Sequence, residues 1–535
     1  MAGKMLLFGN EAIARGAYEA GVTVGTGYPG TPSTEILESL TRYPGVYTEW
    51  SVNEKVAFEV AMGASLAGAR CLVTMKHVGL NVAADPLFTA SYTGIKGGLV
   101  IANADDPNMH SSQNEQDNRH YAYAAKVPML EPSDCQEAKD FTLLAYDLSE
   151  KYDTPVILRT VTRLSHSLGV VITSEKTLRD RPIEGFRRNV KKYVMIPGHA
   201  RARHVAVEER MRVLEKDVNT FSINRMEIAD TTVGFITAGI VYMYVKEVFP
   251  DASVLKLGCV NPLPEKIIRD FFKQVKKVYI VEELDPYIEL RVRAMGLPCE
   301  GKKYFPFTGE LSPDLVKKPF EGKGELTIRA TKKGFKTLVQ LPPRPPSLCP
   351  GCPHREFFKI IKKLNLFATG DIGCYTLGVL PPFNSMDTCV EMGGSIGHAQ
   401  GIEIAESTHY KSNTVAVIGD STFTHSGITG LLNAAYNKRH SLIVVLDNGT
   451  TAMTGMQPNP LSGERINGEK TVQLDYKKLG QAFGMSDENI RIVDAYKSKE
   501  IEETITSLLH SRKLSLLVVK GLCIILKKRK RRVDG

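Results

Sequence analysis

The sequence predicts an α/β protein built from doubly wound, mostly parallel sheets and divided into about three domains. Three observations point there. Short β-branched runs alternate with stretches of helical apolar spacing along most of the 535 residues. Glycine-rich or acidic turns follow the strands, at the carboxyl ends where open α/β sheets place their ligands. The length itself allows roughly three domains, each able to bury a core.

The first domain is expected over residues 1–180. Ala12 to Ala20 reads as a helix and Val22 to Thr26 as a strand. The glycine/proline loop from Gly27 to Ser33 then opens onto a helix at Thr34 to Leu40. Such a loop can cradle an anion on backbone N–H groups, and it is equally a common structural turn. A strand ends near Trp50, and an Ala/Gly-rich helix begins near Asn53 with Glu54 in its first turn. The helix dipole alone favours a glutamate there. Cys71 to Met75, Leu99 to Ala102 and, as the last strand, Val156 to Arg159 complete the sheet. The long polar segment Asp105 to Gln113 follows a strand end, where binding groups are usually presented. Tyr28, His77, His110, Gln113 and, much later, His425 are loop candidates for a site, although a loop histidine is more often a surface or hydrogen-bonding residue.

Residues 181–231 are charged, with helical spacing in their second half. They are expected to form a linker, as one long helix crossing between domains, whose basic residues are a solvated face. A smaller α/β domain follows over 232–335, with strands at Thr232 to Thr237, Ala252 to Leu257 and Lys277 to Val281. The acidic run Glu282 to Pro286 is expected to form a turn and a domain or subunit contact. The proline-rich stretch from Leu341 to Pro353 leads into a final domain, 336–526.

That final domain carries the most informative stretch. Thr414 to Ile418 is a strand ending at Gly419-Asp420-Ser421, Ile428 to Tyr436 is a helix, and Leu442 to Leu446 is a strand ending at Asp447-Asn448-Gly449. Asp420 offers a carboxylate and Asn448 a side-chain carbonyl. Both are hard oxygen donors suited to Mg2+ holding a phosphate group. Gly419 and Gly449 allow close backbone approach.

Nine cysteines in a long chain do not suggest a disulfide framework. Cys349 and Cys352 form C-P-G-C, Cys374 follows, and Cys523 comes after a strand at Leu514 to Val519. Spacing alone is compatible with a zinc or iron–sulfur site, a redox pair, or buried thiols. Cys71, Cys135, Cys259, Cys299 and Cys389 read as core or incidental residues.

The net charge of +9 arises largely from the run Lys527 to Arg532, so no broad nucleic-acid surface is implied. That run, within the terminal segment 527–535, is expected to be a solvated tail. No apolar stretch reaches the roughly 18 residues of a membrane span, and the N-terminus lacks a secretory pattern. A cytoplasmic protein is expected.

Taken together, GNEAIARGA, GYPGTPSTEI, EWSVNEKVAFEVAMGAS, MKHVGLNVAADP, SSQNEQD, CPGCPHR, GDIGCYTLG, GGSIGHAQG and GDSTFTHSG…DNGTTAMTG resemble the alpha subunits of the indolepyruvate:ferredoxin oxidoreductases, a branch of the 2-oxoacid:ferredoxin oxidoreductases. The resemblance spans nearly the whole chain. It implies a pyrimidine-binding and a diphosphate-binding domain of the thiamine diphosphate (ThDP) fold, with a smaller transketolase C-terminal-like domain between them. It places Glu54 against the aminopyrimidine and Thr31 on a loop facing substrate and cofactor. Gly394, Ser395, Gly419, Asp420, Ser421, Asn448 and Thr450 would bind the cofactor, with Asp420, Asn448 and the main-chain carbonyl of Thr450 as Mg2+ ligands. Cys349, Cys352, Cys374 and Cys523 match the order of cysteines that hold a [4Fe-4S] cluster in related oxidoreductases.

The implied reaction is oxidative decarboxylation of an arylpyruvate to an arylacetyl-CoA, with electrons passing to ferredoxin. The partners implied are a beta subunit in a hetero-oligomer, coenzyme A and ferredoxin, with no nucleic acid and no membrane. Such subunits usually continue into a ferredoxin-like tail with two CxxCxxC-type runs. This sequence stops at Val533-Asp534-Gly535 without them, which implies clusters on a separate protein or a shortened product. The competing readings are a non-oxidative ThDP-dependent 2-oxoacid decarboxylase and a non-catalytic assembly subunit.

Overall fold

The structure is a computed structural model describing residues 3–174, 183, 185–321, 346–405 and 413–533. The proline-rich run at 341–345 lies outside these residues. The chain forms two compact units, Met1–Leu338 and Val339–Gly535, and both are α/β as the sequence predicts.

In the first unit a seven-stranded sheet has the order Cys259–Asn261, Met129–Leu130, Val156–Val161, Leu99–Asp105, Cys71–Lys76, Val24–Gly27, Tyr47–Trp50. Every pairing is parallel except that of Cys259–Asn261. That strand belongs to the expected middle domain by sequence, yet it extends the first sheet. A four-stranded sheet runs Lys277–Val281, Asp230–Ala238, Ala252–Leu257, Arg225–Glu227. One apolar core continues from Val73 and Ile101 of the first sheet to Leu255 and Ile280 of the second.

Ionic contacts reinforce this junction. Arg119, 2% exposed, donates to Asp117 and Glu282 and to the carbonyls of Glu283 and Asp285. The acidic run at 282–286 is therefore a domain contact, as expected. Burial of Glu283 pushes its carboxyl up to about 7.

Three expectations need correction here. Leu99–Asp105 carries the strand three residues further, so Asp105 is a strand residue. Val156–Val161 is not the last strand: Leu168–Thr173 follows and pairs antiparallel with Gly3–Phe8 in a small separate sheet. The linker contains a long helix, Pro197–Asp217, whose basic residues are only partly solvated. Arg203 donates to the Tyr92 carbonyl and pairs with Asp153, while Arg210 donates to the carbonyls of Ser91 and Asp153. These residues tie the helix to the first domain. At the other end of the sequence, the basic run lies in a helix, Ile524–Val533, and its described side chains are exposed, as expected.

The second unit is a five-stranded, all-parallel sheet ordered Phe367–Thr369, Thr414–Gly419, Leu442–Asp447, Ser515–Lys520, Ile490–Asp494. Alternate residues feed opposite cores, as the period of two requires. Val415, Val417 and Val444 face one, and Ala416, Ile418 and Val445 the other. Burial on both faces explains why these strands read as continuous apolar runs. Among the described residues no helix is long and apolar enough to cross a membrane.

Candidate functional site

In the first unit the predicted residues gather at the carboxyl ends of the parallel strands. Asn53 caps the helix Glu54–Leu66, its side chain accepting from Val56 N at 2.9 Å, which satisfies one of the orphan donors of a helix start. Glu54 is thereby fixed as the first helical residue, 5% exposed. Gly79 packs on it so closely that a Cβ there would lie 2.7 Å from Glu54 Oε1.

The Gly30–Thr31 loop is held by Ser33 and Thr34, which bond the Gly30 carbonyl and N–H. Ser111 Oγ donates to the Thr31 carbonyl at 3.0 Å. Asp106, which opens the long polar loop, accepts from Thr162, Ser111 and Ser112. Burial works against its charged form, but these hydrogen bonds win and hold the carboxyl below its ordinary value.

Tyr28 and His77 are buried beside this loop cluster. His77 Nε2 faces Asn114, and burial lowers the imidazole below its usual value. His110 and Gln113 are exposed, and His110 is directed to Glu310 of the middle domain instead.

In the second unit, Asp420 begins a helical segment at once rather than sitting in an extended turn. A short π-helical stretch, Phe423–Gly427, contains the buried His425 and joins Asp420–Thr422 to the expected helix Ile428–Tyr436. An aspartate at a helix start is favoured by the exposed N–H groups there. Asp420 accepts from Ser421 N at 2.8 Å. The second turn joins the first through Thr451 Oγ1, which donates to Ser421 Oγ at 2.8 Å. Burial, and then the nearby Asp447, raise the Asp420 carboxyl. Two buried carboxylates this close are an arrangement that a divalent cation relieves.

The glycines have separate reasons. Gly449 has φ of +73°, a conformation suited to glycine. Gly419 makes room for Tyr375, whose Cε1 would be 2.5 Å from a Cβ.

Asp371 escaped the sequence reading. It is fully buried and accepts from the N–H groups of Ile372, Gly393 and Ser395. Burial still carries its carboxyl up to about 6. It therefore shapes the Gly393–Ser395 turn from which the helix Ser395–Ala405 starts. Ser395 Oγ is buried without a hydrogen-bond partner, as is Asp447 Oδ2. Asp447 Oδ2 faces Lys520 Nζ at 3.8 Å, whereas the orphaned Ser395 hydroxyl fits a site that takes a phosphate.

All nine cysteines are free. Cys349, Cys352, Cys374 and Cys523 line one cavity of about 80 Å3, together with His354 and Asn448. Burial, followed by the neighbouring thiols, pushes Cys352 up to about 11 and Cys374 up to about 12. A bound metal would reverse that preference, because a coordinating thiol is deprotonated. Among the described residues, no three of these sulfur atoms lie within 4.8 Å of one another. A tetrahedral zinc with Zn–S near 2.3 Å needs sulfurs about 3.8 Å apart.

Asn448 belongs to both places. Its main-chain carbonyl accepts from Cys523 N at 3.0 Å and its Oδ1 from Thr450 N at 3.1 Å. Its Nδ2 lies 3.3 Å from His354 Nε2.

Comparison with known proteins matches this division. The model for the thiamine diphosphate-binding part of pyruvate flavodoxin/ferredoxin oxidoreductases matches residues 15–222. That for the C-terminal TPP-binding domain of thiamine pyrophosphate enzymes matches 371–519. Indolepyruvate oxidoreductase subunit IorA of Archaeoglobus fulgidus is 42% identical over 99% of this chain and 88% of its own length. The chain belongs to the IorA family.

The IorA of Pyrococcus horikoshii is also 42% identical, over 98% of this chain and 86% of its own. An IorA-family chain is a subunit of an oxidoreductase, and the two matched regions are ThDP-binding domains. Its fold is also that of a solved 2-oxoglutarate:ferredoxin oxidoreductase from Magnetococcus marinus. The TM-score is 0.51 at 16% identity, covering 61% of this chain and 65% of that one.

Within this IorA-family site, His354 is the second residue that sequence reasoning missed, although it stands in the quoted CPGCPHR motif. Burial lowers its imidazole to about 4, so it is neutral. An amide nitrogen only donates, so Nε2 accepts and the proton sits on Nδ1. This bond fixes the Asn448 amide with Oδ1 toward Thr450. On the assignment of Asn448 as a Mg2+ ligand proposed below, replacing His354 by leucine is expected to weaken Mg2+ binding by about 10- to 100-fold, the usual cost of losing an outer-shell partner. Calorimetric titration of Mg2+ in the presence of ThDP measures this.

Proposed function

We propose that this chain is the ThDP-binding subunit of an arylpyruvate:ferredoxin oxidoreductase. It would work with a smaller beta subunit, use coenzyme A as acyl acceptor and deliver electrons to ferredoxin. The observation that carries the reading is the sharing of Asn448 between the oxygen-donor turns and the four-cysteine cavity.

Asp420, Asn448 Oδ1 and the Thr450 carbonyl would hold Mg2+, with Ser421, Gly394 and Ser395 toward the diphosphate. Glu54 holds and releases a proton at the aminopyrimidine ring, and Thr31 lines the substrate side. ThDP, when bound, supplies the electron sink for decarboxylation. Cys349, Cys352, Cys374 and Cys523 would hold a [4Fe-4S] cluster, which supplies one-electron redox chemistry. The apolar walls of the cavity, Leu377, Ile524 and Ile525 among them, limit water there.

Anaerobic purification followed by iron, sulfide and zinc analysis tests this assignment. About four iron and four sulfide per chain are expected. Stoichiometric zinc, or no metal beyond Mg2+, would remove the cluster from the proposal.

The Glu54–Gly79 contact gives a second check. Gly79→Ala is expected to displace the carboxylate and lower kcat by about 10^2-fold, the typical cost of a misplacement near 1 Å. ThDP affinity, read by calorimetry, should change much less.

A further inference from the structure

Lys76 is the last residue of the strand Cys71–Lys76, at the carboxyl end of the first sheet. Its side chain lies against Gly30, where a Cβ would be 3.0 Å from Lys76 Cγ and 3.1 Å from Cδ. Its Nζ donates to the Ser111 carbonyl at 3.1 Å, and Ser111 Oγ in turn bonds the Thr31 carbonyl. The ammonium therefore sits where the Gly30–Thr31 loop meets the loop after Leu99–Asp105.

It is also underused. An ammonium has three donors, and the Ser111 carbonyl is its one hydrogen-bond acceptor among the described residues. No carboxylate oxygen there lies within 4.0 Å of Nζ. Asp106 is close enough to be felt, but both of its oxygens are taken by hydroxyls and by Ser111 N. Glu54 acts on it only electrostatically from the other side. A partly buried cation with spare donors favours an anion.

We infer that Lys76 anchors the carboxylate of the 2-oxoacid substrate, an assignment that rests on the function proposed above. The carboxylate is attached to the carbon that reacts, so anchoring it would place that carbon beside the Thr31 loop. The anchor acts mainly in binding.

Burial pushes the ammonium down to about 8, against the pull of Asp106 and then Glu54, with the neutral His77 as the next residue. Lys76 is thus charged below about pH 8 and loses its charge above it. Substrate affinity should fall as pH rises through that value.

The test is a calorimetric titration of the assembled, ThDP- and Mg2+-loaded enzyme with 3-phenylpropanoate, 3-phenylpropanamide and butanoate, none of which can react. Wild type should prefer the carboxylate to the amide. Lys76→Met should bind 3-phenylpropanoate about 10- to 100-fold more weakly, the range for a hydrogen bond to a charged group, with amide binding and ThDP affinity unchanged. Lys76→Arg should retain carboxylate binding and lose its decline above about pH 8. Equal carboxylate binding by wild type and Lys76→Met would overturn the anchor, as would binding of neither carboxylate by wild type. A preference for butanoate that still depends on Lys76 would support the anchor while overturning the aryl specificity.

Discussion

Glu54→Gln is expected to lower kcat by about 10^2- to 10^4-fold, the range for removing a positioned proton-transfer group. The substitution keeps the size of the side chain and leaves the Asn53 cap in place. ThDP and Mg2+ should therefore still bind, and the melting temperature should hold. The loss would lie in the chemical step, visible as a fall in kcat with little change in KM. Wild-type turnover by the Glu54→Gln variant would remove Glu54 from the chemistry and leave it as a helix-start glutamate favoured by the dipole.

Cys374→Ala should abolish the second half of the reaction and spare the first. Cys374 lines the shared cavity but lies outside the Asp420 and Asn448 turns. The variant should lose the iron of that site, and reduction of ferredoxin or viologen should fall to background. Slow release of aldehyde from the 2-oxoacid should persist, because decarboxylation itself needs no electron acceptor. Full acceptor reduction by Cys374→Ala would contradict the four-cysteine assignment.

Much of the fold was legible because its signals are local. The helix Thr34–Leu40 and the strands Ala252–Leu257 and Lys277–Val281 lie where β-branched runs and small polar helix starts put them. Strands buried on both faces leave a continuous apolar signature, and the glycine and acidic turns mark their ends. What stayed hidden depends on distant parts of the chain. Gly3–Phe8 has no partner until Leu168–Thr173 is folded beside it. Cys259–Asn261 joins a sheet whose other strands lie at least 98 residues earlier in sequence, and three residues carry too little pattern to show it.

The site divides in the same way. Asp420, Asn448, Glu54 and the four cysteines are visible as residue types at turns and in a C-x2-C spacing. Asp371 and His354 are not, since each works through a partner far away. Asp371 organises the turn at 393–395, and His354 orients an amide 94 residues further on. Lys76 carries no local signal; it stands out only because the fold sets it against Gly30 and Ser111, with no carboxylate oxygen within 4.0 Å among the described residues.

The most direct test of the central claim, that the oxygen-donor turns and the cysteine cavity serve one oxidative reaction, is anaerobic product analysis. The chain is assembled with its partner subunit, ThDP and Mg2+, and given an arylpyruvate with and without coenzyme A and an electron acceptor. The predicted result is arylacetyl-CoA together with two equivalents of one-electron-reduced acceptor for each CO2. Aldehyde as the main product, formed at the same rate without acceptor or coenzyme A, would contradict it.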